Sequence, residues 1–423
     1  MREWKTVSVI GMGYIGLPTC AILASRGISV IGVDVNSHVV DSVNRGEVHI
    51  VEPDLDGLIQ KVVSNGKLRA SLSPEPADAF IIAVPTPITE DMKPDIGHVL
   101  SAGRSIAPCL KKGDLVVLES TSPVGTTRKL SALLAELRPD LSFPHVAGEE
   151  ADVLVAYSPE RVLPGKVLTE LVNNDRSVGG ISQRSSERAA SLYASFVAGN
   201  LVITSAEAAE LVKLTENAFR DVNIAFANEL AAVCSRLDLN VWEVIELANR
   251  HPRVSILQPG PGVGGHCIAV DPYFIVDAAP EETLLMQSAR RINNDRPRSV
   301  AAEVMKAAKA KDVAIACLGL AFKPNIDDLR ESPAIEVVRL LAEAKVGRIL
   351  AAEPNADELP EELSRLGVEF CDALTAIDRA DIVVLLVDHR QFELIDPAAL
   401  RGKALIDTRG LWTWRKARRG AAA

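Results

Sequence analysis

The chain has 423 residues, too many for one hydrophobic core, and its 48% hydrophobic and 24% charged content describes a folded globular protein of two or three domains. A formal net charge of −10 argues against nucleic acid or an anionic membrane as a general partner, so an anionic ligand needs locally clustered Arg and Lys. The six scattered cysteines show no CxxC pair and no metal-ligand spacing, which points to free thiols in a reducing cytoplasm and to no metal site.

The β-branched run 6–10 reads as a strand, followed by Gly11-Met-Gly13-Tyr14-Ile15-Gly16 and helix-compatible sequence from Leu17 to Arg26. There is no room before that strand for a signal peptide, and no apolar run approaches the ~20 residues that cross a bilayer. A second strand, 28–33, ends at Asp34, and strand signals at 79–84, 114–118 and 153–157 alternate with helical ones. That alternation predicts a parallel sheet with crossover helices. From Thr204 to Asn249 the periodicity is helical and alanine-rich, and Thr204-Ser-Ala-Glu207 has the spacing of a capping box. Beyond a glycine-rich loop the helical pattern resumes from Glu281 to Lys309. A second series of strands then follows at 313–318, 348–352, 381–387 and 403–406. The expected fold is α/β, with two Rossmann-like doubly wound domains (1–203 and 310–423) flanking a central helical domain (204–309).

The glycines of Gly11, Gly13 and Gly16 follow a strand and open a helix. They permit a tight turn and close approach of a diphosphate to the helix N-terminus. Asp34 at the next strand end would accept hydrogen bonds from a ribose diol and repel a 2′-phosphate, which selects NAD over NADP. Thr86, Thr121 and Thr126 fall after predicted strands, where open α/β sheets place ligands, although each could equally cap a helix or close a turn. In the loop 260–271, glycines deliver Cys267 with Asp271 four residues on. A thiol presented this way suits a nucleophile, and a buried, inert cysteine is the other reading. Lys213, Asn217 and Arg220 stand at i, i+4 and i+7, on one helix face, where Lys beside Asn can stabilise a developing alkoxide. Arginines and lysines near 249–253 and 323–330 supply local positive charge for a diphosphate.

The order GxGxxG, Ser-Thr-x-Pro-x-Gly-Thr-Thr, Ser-Pro-Glu-Arg, Lys-x-x-x-Asn and Gly-x-Gly-Gly-x-Cys-x-x-x-Asp resembles the UDP-glucose/GDP-mannose 6-dehydrogenase family over essentially the whole chain. The segments 46–55, 158–165, 249–254, 258–272 and 320–333 resemble its N-acetylhexosamine branch. Val270 replaces the lysine that the UDP-glucose branch carries before the aspartate, and Pro164 replaces a second glutamate. The resemblance implies NAD-dependent oxidation of a sugar C6 alcohol to the acid, through a thioester on Cys267, in an active site between the domains. It makes Lys213 the acid/base and oxyanion-stabilising group, with Asn217 its partner. It has Glu160 act on the hydrolytic water, and Asp271 and Thr121 position water and substrate. By the same resemblance Tyr14 and Ile15 join the cofactor-binding residues. Arg161, Val162, Arg220, His251, Arg253, Gly264, Phe322, Lys323 and Arg330 bind a UDP-N-acetylhexosamine. The central helices are expected to form a homodimer. β-Hydroxyacid dehydrogenases also join a Rossmann domain to helices bearing Lys and Asn, but the Cys267 loop and the third domain have no place in that plan. Within the family, UDP-N-acetylglucosamine 6-dehydrogenase activity is the close runner-up; a non-catalytic nucleotide-sugar-binding protein is a distant reading, and the intact Cys267, Lys213 and Asn217 argue against it.

Overall fold

The computed structural model describes residues 4–89, 91–163, 165–308 and 312–416. Pro164 and the expected domain boundary at 309/310 lie outside them. Two compact units emerge, one of Met1–Glu216 with Tyr273–Pro280 and the other of Asn217–Pro272 with Glu281–Ala423.

The first unit is built on eight strands: β1 (Thr6–Ile10), β2 (Ser29–Val33), β3 (Leu68–Ser71), β4 (Ala79–Ile82), β5 (Leu115–Leu118), β6 (Leu154–Tyr157), β7 (Arg176–Gly180) and β8 (Leu201–Ser205). They lie in the order β3-β2-β1-β4-β5-β6-β7-β8. Neighbours run parallel except β6 and β7, which are antiparallel. The central strands read as continuous apolar runs because both faces are covered. Val7, Val9, Ala79, Ile81, Leu115 and Val117 enter one core, while Ile10, Phe80, Ile82, Val116 and Leu118 enter the other. Strands β3, β7 and β8 escaped the sequence reading: β3 is short, β7 is rich in polar residues and glycine, and β8 is half-exposed and runs directly into the helical pattern.

The second unit carries β9 (Ala314–Leu318), β10 (Arg348–Ala352), β11 (Glu369–Phe370), β12 (Ile382–Leu385) and β13 (Ala404–Asp407), in the order β11-β10-β9-β12-β13 and all parallel. This repeats the topology of β3-β2-β1-β4-β5, so the two halves echo each other in space as they do in sequence. The echo extends to single bonds. Gly11 donates its N–H to Val33 at 2.7 Å, and Gly319 donates to Ala352 at 2.8 Å. Both take φ near +90° (94° and 88°), which a side chain would resist.

A 31-residue helix, Ala206–Arg236, begins in the first unit and ends in the second. Its N-cap is Ser205, whose hydroxyl accepts from Ala208 N–H at 3.2 Å. The capping-box reading placed the cap one residue earlier, at Thr204, which pairs with Gly179 in β8. The other long helix, Leu284–Ala307, contains Pro297. Among the described residues no helix is long and apolar enough to cross a membrane.

These two helices hold a buried ion pair in the second unit, Arg290 Nη1 to Asp221 Oδ1 at 2.6 Å, with both side chains under 5% exposed. Removing one partner strands the other charge in a low-dielectric interior. Arg290→Met should therefore lower unfolding free energy in urea by about 3–5 kcal/mol. Arg298→Met, whose partner Asp295 is solvent-exposed, should change it by less than about 1 kcal/mol.

Candidate active site

The loop after β1 is shaped for a phosphate. Gly11 tolerates no Cβ, which would lie 2.5 Å from the Ala83 carbonyl oxygen, and a Cβ on Gly16 would strike the Gly11 carbonyl. One on Gly13 would meet nothing within 4 Å, so that side of the loop is open. The helix Gly16–Ser25 has no side-chain cap at Ile15 and no acid in its first turn, leaving N-terminal amides and the positive end of the dipole for an anion. Asp34 accepts Met12 N–H on Oδ2 (2.9 Å) and Asn36 N–H on Oδ1 (3.0 Å). With one bond on each oxygen it keeps acceptor capacity for a ribose diol. Tyr14 is 43% exposed and Ile15 half-buried beside these glycines. The residues present fit a dinucleotide.

Thr86 and Thr121, at the ends of β4 and β5, come together through a bond from Thr86 Oγ1 to the Thr121 carbonyl. Thr126 is instead fully buried and spends its hydroxyl on the Pro123 carbonyl at 2.7 Å, closing the turn. That turn is anchored by a residue the sequence reading missed. Buried Glu210 accepts Gly125 N–H (2.6 Å), Thr127 N–H (2.8 Å) and Thr127 Oγ1–H (2.6 Å). Burial pushes its pKa up against these donors.

Glu160 follows β6, is 9% exposed, and accepts Val162 N–H at 2.7 Å. Burial holds its pKa above the usual carboxylate range, opposed by the charges of Arg176 and Lys213. Arg176, itself buried, sits 3.0 Å from Glu119 and stacks on Tyr193 at 4.3 Å, while Tyr193 donates to Glu119 at 3.2 Å. None of the three stood out in the sequence, since an arginine or glutamate at a strand end looks like surface. Arg161 is engaged by Glu216 (2.7 Å) and the Asp175 carbonyl, and Val162 packs on the core. Glu52 accepts Gly165 N–H (2.8 Å) and Val167 N–H (2.7 Å), tying down the far end of the same loop.

In the second unit a relay reaches the cysteine loop. Arg220 donates to Asn217 Oδ1 (2.6 Å), and Asn217 donates to the buried Asp271 carboxylate (2.5 Å). The amides of Val270 and Asp271 donate to the Cys267 carbonyl at 3.0 and 2.8 Å, folding the loop into a helix start. A Cβ on Gly265 (φ +81°) would lie 2.7 Å from the Phe322 ring, and one on Gly264 would strike the Glu331 carbonyl. Only glycine lets the loop pass this close. Lys323, beside Phe322, has its pKa lowered by burial, with the negative charges of Cys267 and Asp328 opposing that fall. Arg330 is held by both oxygens of Asp328 at 2.9 and 2.7 Å. The loop's start is seated by Asn228, which accepts Gly260 N–H (2.9 Å) and donates to Asn293 (2.9 Å), and by Arg296, which donates to the Gly260 carbonyl (3.0 Å). Arg409 reaches the Pro259 carbonyl at 3.3 Å. Sequence reading found none of these. His251 and Arg253 are exposed after the helix Val241–Ala248, with Arg253 N–H donating to His251 Nδ1 at 3.3 Å. Lys213 is half-buried, one helical turn before Asn217.

Comparison with known proteins places this architecture. Residues 5–197 match the NAD binding domain of the UDP-glucose/GDP-mannose dehydrogenase family, residues 207–295 its central domain and residues 316–413 its UDP binding domain. The chain belongs to this family. It is an NAD-dependent UDP-sugar dehydrogenase. Among its relatives, an NDP-N-acetyl-D-galactosaminuronic acid dehydrogenase of Ralstonia nicotianae is 59% identical over 412 residues, 97% of each chain. The UDP-N-acetyl-D-mannosamine dehydrogenase of Yersinia pestis is 56% identical over 419 residues, 97% of this chain and 100% of that one. Among solved structures, UDP-D-ManNAc dehydrogenase from Pyrococcus horikoshii superposes with a TM-score of 0.87 at 39% identity, covering 96% of each chain.

Cys267 is an exposed cysteine, whereas Cys20, Cys234 and Cys317 are buried, and burial pushes the Cys317 thiol up to about 12. Burial likewise raises the half-buried Cys109 and Cys371. Limiting iodoacetamide near neutral pH should therefore alkylate Cys267 first, with turnover lost in step with that adduct by peptide mass spectrometry. Full alkylation of Cys267 with activity retained would remove Cys267 from the chemistry.

Proposed function

We propose that this enzyme oxidises the C6 alcohol of UDP-N-acetyl-D-mannosamine to UDP-N-acetyl-D-mannosaminuronic acid, a four-electron reaction through a thioester on Cys267. The observation that carries the reading is Cys267 itself, exposed on a glycine loop seated against Phe322. It stands in a chain 55–56% identical along its length to UDP-N-acetyl-D-mannosamine dehydrogenases. NAD, when bound, supplies the hydride acceptor for each of the two oxidations. Lys213 moves the proton of the C6 alcohol and stabilises the oxyanion, with Asn217 as its partner. The Cys267 thiolate adds to the aldehyde carbon, giving a thiohemiacetal whose oxidation leaves the thioester. Water then adds to the thioester carbonyl, the C–S bond breaks, and the thiol returns with the acid released.

Glu160 takes the proton from that water, and Asp271 and Thr121 position water and substrate. Gly11, Gly13, Tyr14, Ile15, Gly16, Asp34 and Thr86 serve the cofactor, and the buried Thr126 serves it by closing the turn at Pro123. Arg161, Val162, Arg220, His251, Arg253, Gly264, Phe322, Lys323 and Arg330 serve the UDP-sugar, within domains at 1–203, 204–309 and 310–423. Homodimerisation is part of the proposal. Phe219, Phe226 and Val233 recur every seventh residue along one helix and are 66%, 53% and 46% exposed, a stripe suited to a second copy. The free thiols suit the cytoplasm.

A second reading, that the substrate is an N-acetylgalactosamine nucleotide, is favoured by the Ralstonia relatives at 59% identity. The purified enzyme with NAD and, separately, UDP-N-acetylmannosamine, UDP-N-acetylgalactosamine and UDP-N-acetylglucosamine distinguishes them. Two NADH per sugar with the manno substrate, and little turnover of the others, is the expected outcome. Preference for the galacto sugar would move the assignment to the second reading. Cys267→Ala should form no acid while still binding NAD and UDP-sugar, and Lys213→Ala should lower kcat about 10²–10³-fold.

The Glu160 role fixes a pH dependence. The base must be anionic, and burial holds its folded pKa above the ordinary glutamate value. Thioester hydrolysis should thus fall as pH drops through that raised value, and Glu160→Gln should abolish this acid limb. The same shift opposes stability. Glu160's contribution is fully present below pH 4.5 and lost as pH rises through the folded pKa. An unchanged acid limb in Glu160→Gln would reassign the base.

A further inference from the structure

The two nucleotide-type halves place a carboxylate at the same point, the end of the second strand, and use it differently. Asp34 after β2 accepts two hydrogen bonds, from Met12 and Asn36 N–H. Glu353 after β10 repeats both: Oε2 takes Leu320 N–H (2.7 Å) from the loop after β9, and Oε1 takes Asn355 N–H (3.0 Å) two residues on. It then adds three more, from Ala321 N–H (3.0 Å), Asn355 Nδ2 (3.2 Å) and His389 Nε2 (3.0 Å). A carboxylate has about four lone-pair sites, so Glu353 is saturated and has none left for a ribose diol. His389 is fully buried. Its Nδ1 accepts Asn325 N–H at 3.0 Å and faces Asn355 Nδ2 at 2.9 Å, which fixes the neutral tautomer with the proton on Nε2, aimed at Glu353.

Glu353 therefore grips the start of the loop at Leu320 and Ala321, and His389 grips its end at Asn325. Arg390 N–H adds a bond to Asn325 Oδ1 at 2.9 Å. Between the two grips lie Phe322, on which Gly265 of the cysteine loop packs, and the half-buried Lys323 beside it. Asn325 holds φ +62°, a left-handed conformation that Asn tolerates better than most residues.

We propose that His389 is a positioning residue for UDP-sugar oxidation: with Glu353 it forms an internal clamp that sets the Phe322–Lys323 segment against the Cys267 loop. The second half has turned its strand-end carboxylate from reading a nucleotide ribose to holding its own loop. His389 touches neither substrate nor cofactor and acts through the loop. This rests on the UDP-sugar reading above.

The test uses the full chain and three variants, His389→Ala, His389→Asn and Glu353→Gln. Asn keeps an acceptor for the Asn325 amide but loses the donor to Glu353, and Glu353→Gln keeps the shape. UDP and NAD binding are measured by calorimetry, with KM for the UDP-sugar, kcat and Tm. Wild-type failure to bind UDP would overturn the functional reading and the clamp with it. With wild type binding UDP, His389→Ala and Glu353→Gln should raise UDP Kd and UDP-sugar KM about tenfold, with NAD Kd unchanged within about twofold and His389→Asn intermediate. UDP Kd and UDP-sugar KM within about twofold of wild type in the folded variants would overturn the proposal. So would equal losses of UDP and NAD binding, the mark of general destabilisation. If His389→Ala does not fold, His389→Asn and Glu353→Gln decide by the same criteria.

Discussion

The close passage of the glycine loop 262–265 over Phe322 and the Glu331–Pro333 backbone is the contact on which the proposed chemistry depends. Side chains at Gly264 or Gly265 would collide with carbonyl or ring atoms, so the distance is set by their absence. The loop is then fixed by bonds on both sides of the thiol. Asn228 and Arg296 hold Gly260, and Asn217 holds Asp271. Cys267 is thereby presented to solvent from an anchored backbone, which is what a nucleophile needs and a packing cysteine does not.

Behind these anchors sit buried charges whose role is geometric. Asp221 takes bonds from Arg290 and Asn293, and Asn293 in turn receives Asn228, so one polar chain connects the ion pair to Gly260. In the first unit Arg176 links Glu119, Tyr193 and the field at Glu160. Buried pairs of this kind add little net stability against an apolar substitute. Here they direct atoms. Arg176 and Lys213 oppose the desolvation that raises the Glu160 pKa.

The two sheets show how one topology serves two purposes. Both place a positive-φ glycine after the first strand and an acid after the second. In the first, the acid keeps capacity to accept from a ligand. In the second, His389 and Asn355 fill it, and the same frame becomes a platform for a loop.

Much of this was legible from the chain alone. Apolar runs such as 79–82 and 382–385 declared strands buried on both faces, since parallel sheets need no alternation. Gly11, Gly16 and Asp34 declared a dinucleotide loop, because steric permission and charge at fixed spacing are local properties. The loop carrying Cys267 was visible for the same reason. Strands such as β3 and β7, short or poor in apolar residues, were not, because their identity comes from the neighbour they pair with. Nor were Glu210, Arg176, Asp221 and His389. A charged residue in sequence looks the same whether it faces water or is buried, and only the tertiary fold decides which donors surround it. The sequence alone thus determined the backbone's permitted turns, the apolar strands of the two sheets and the glycine loop that carries Cys267. Tertiary packing alone decided which polar groups lost water, because desolvation depends on distant segments converging and not on local spacing.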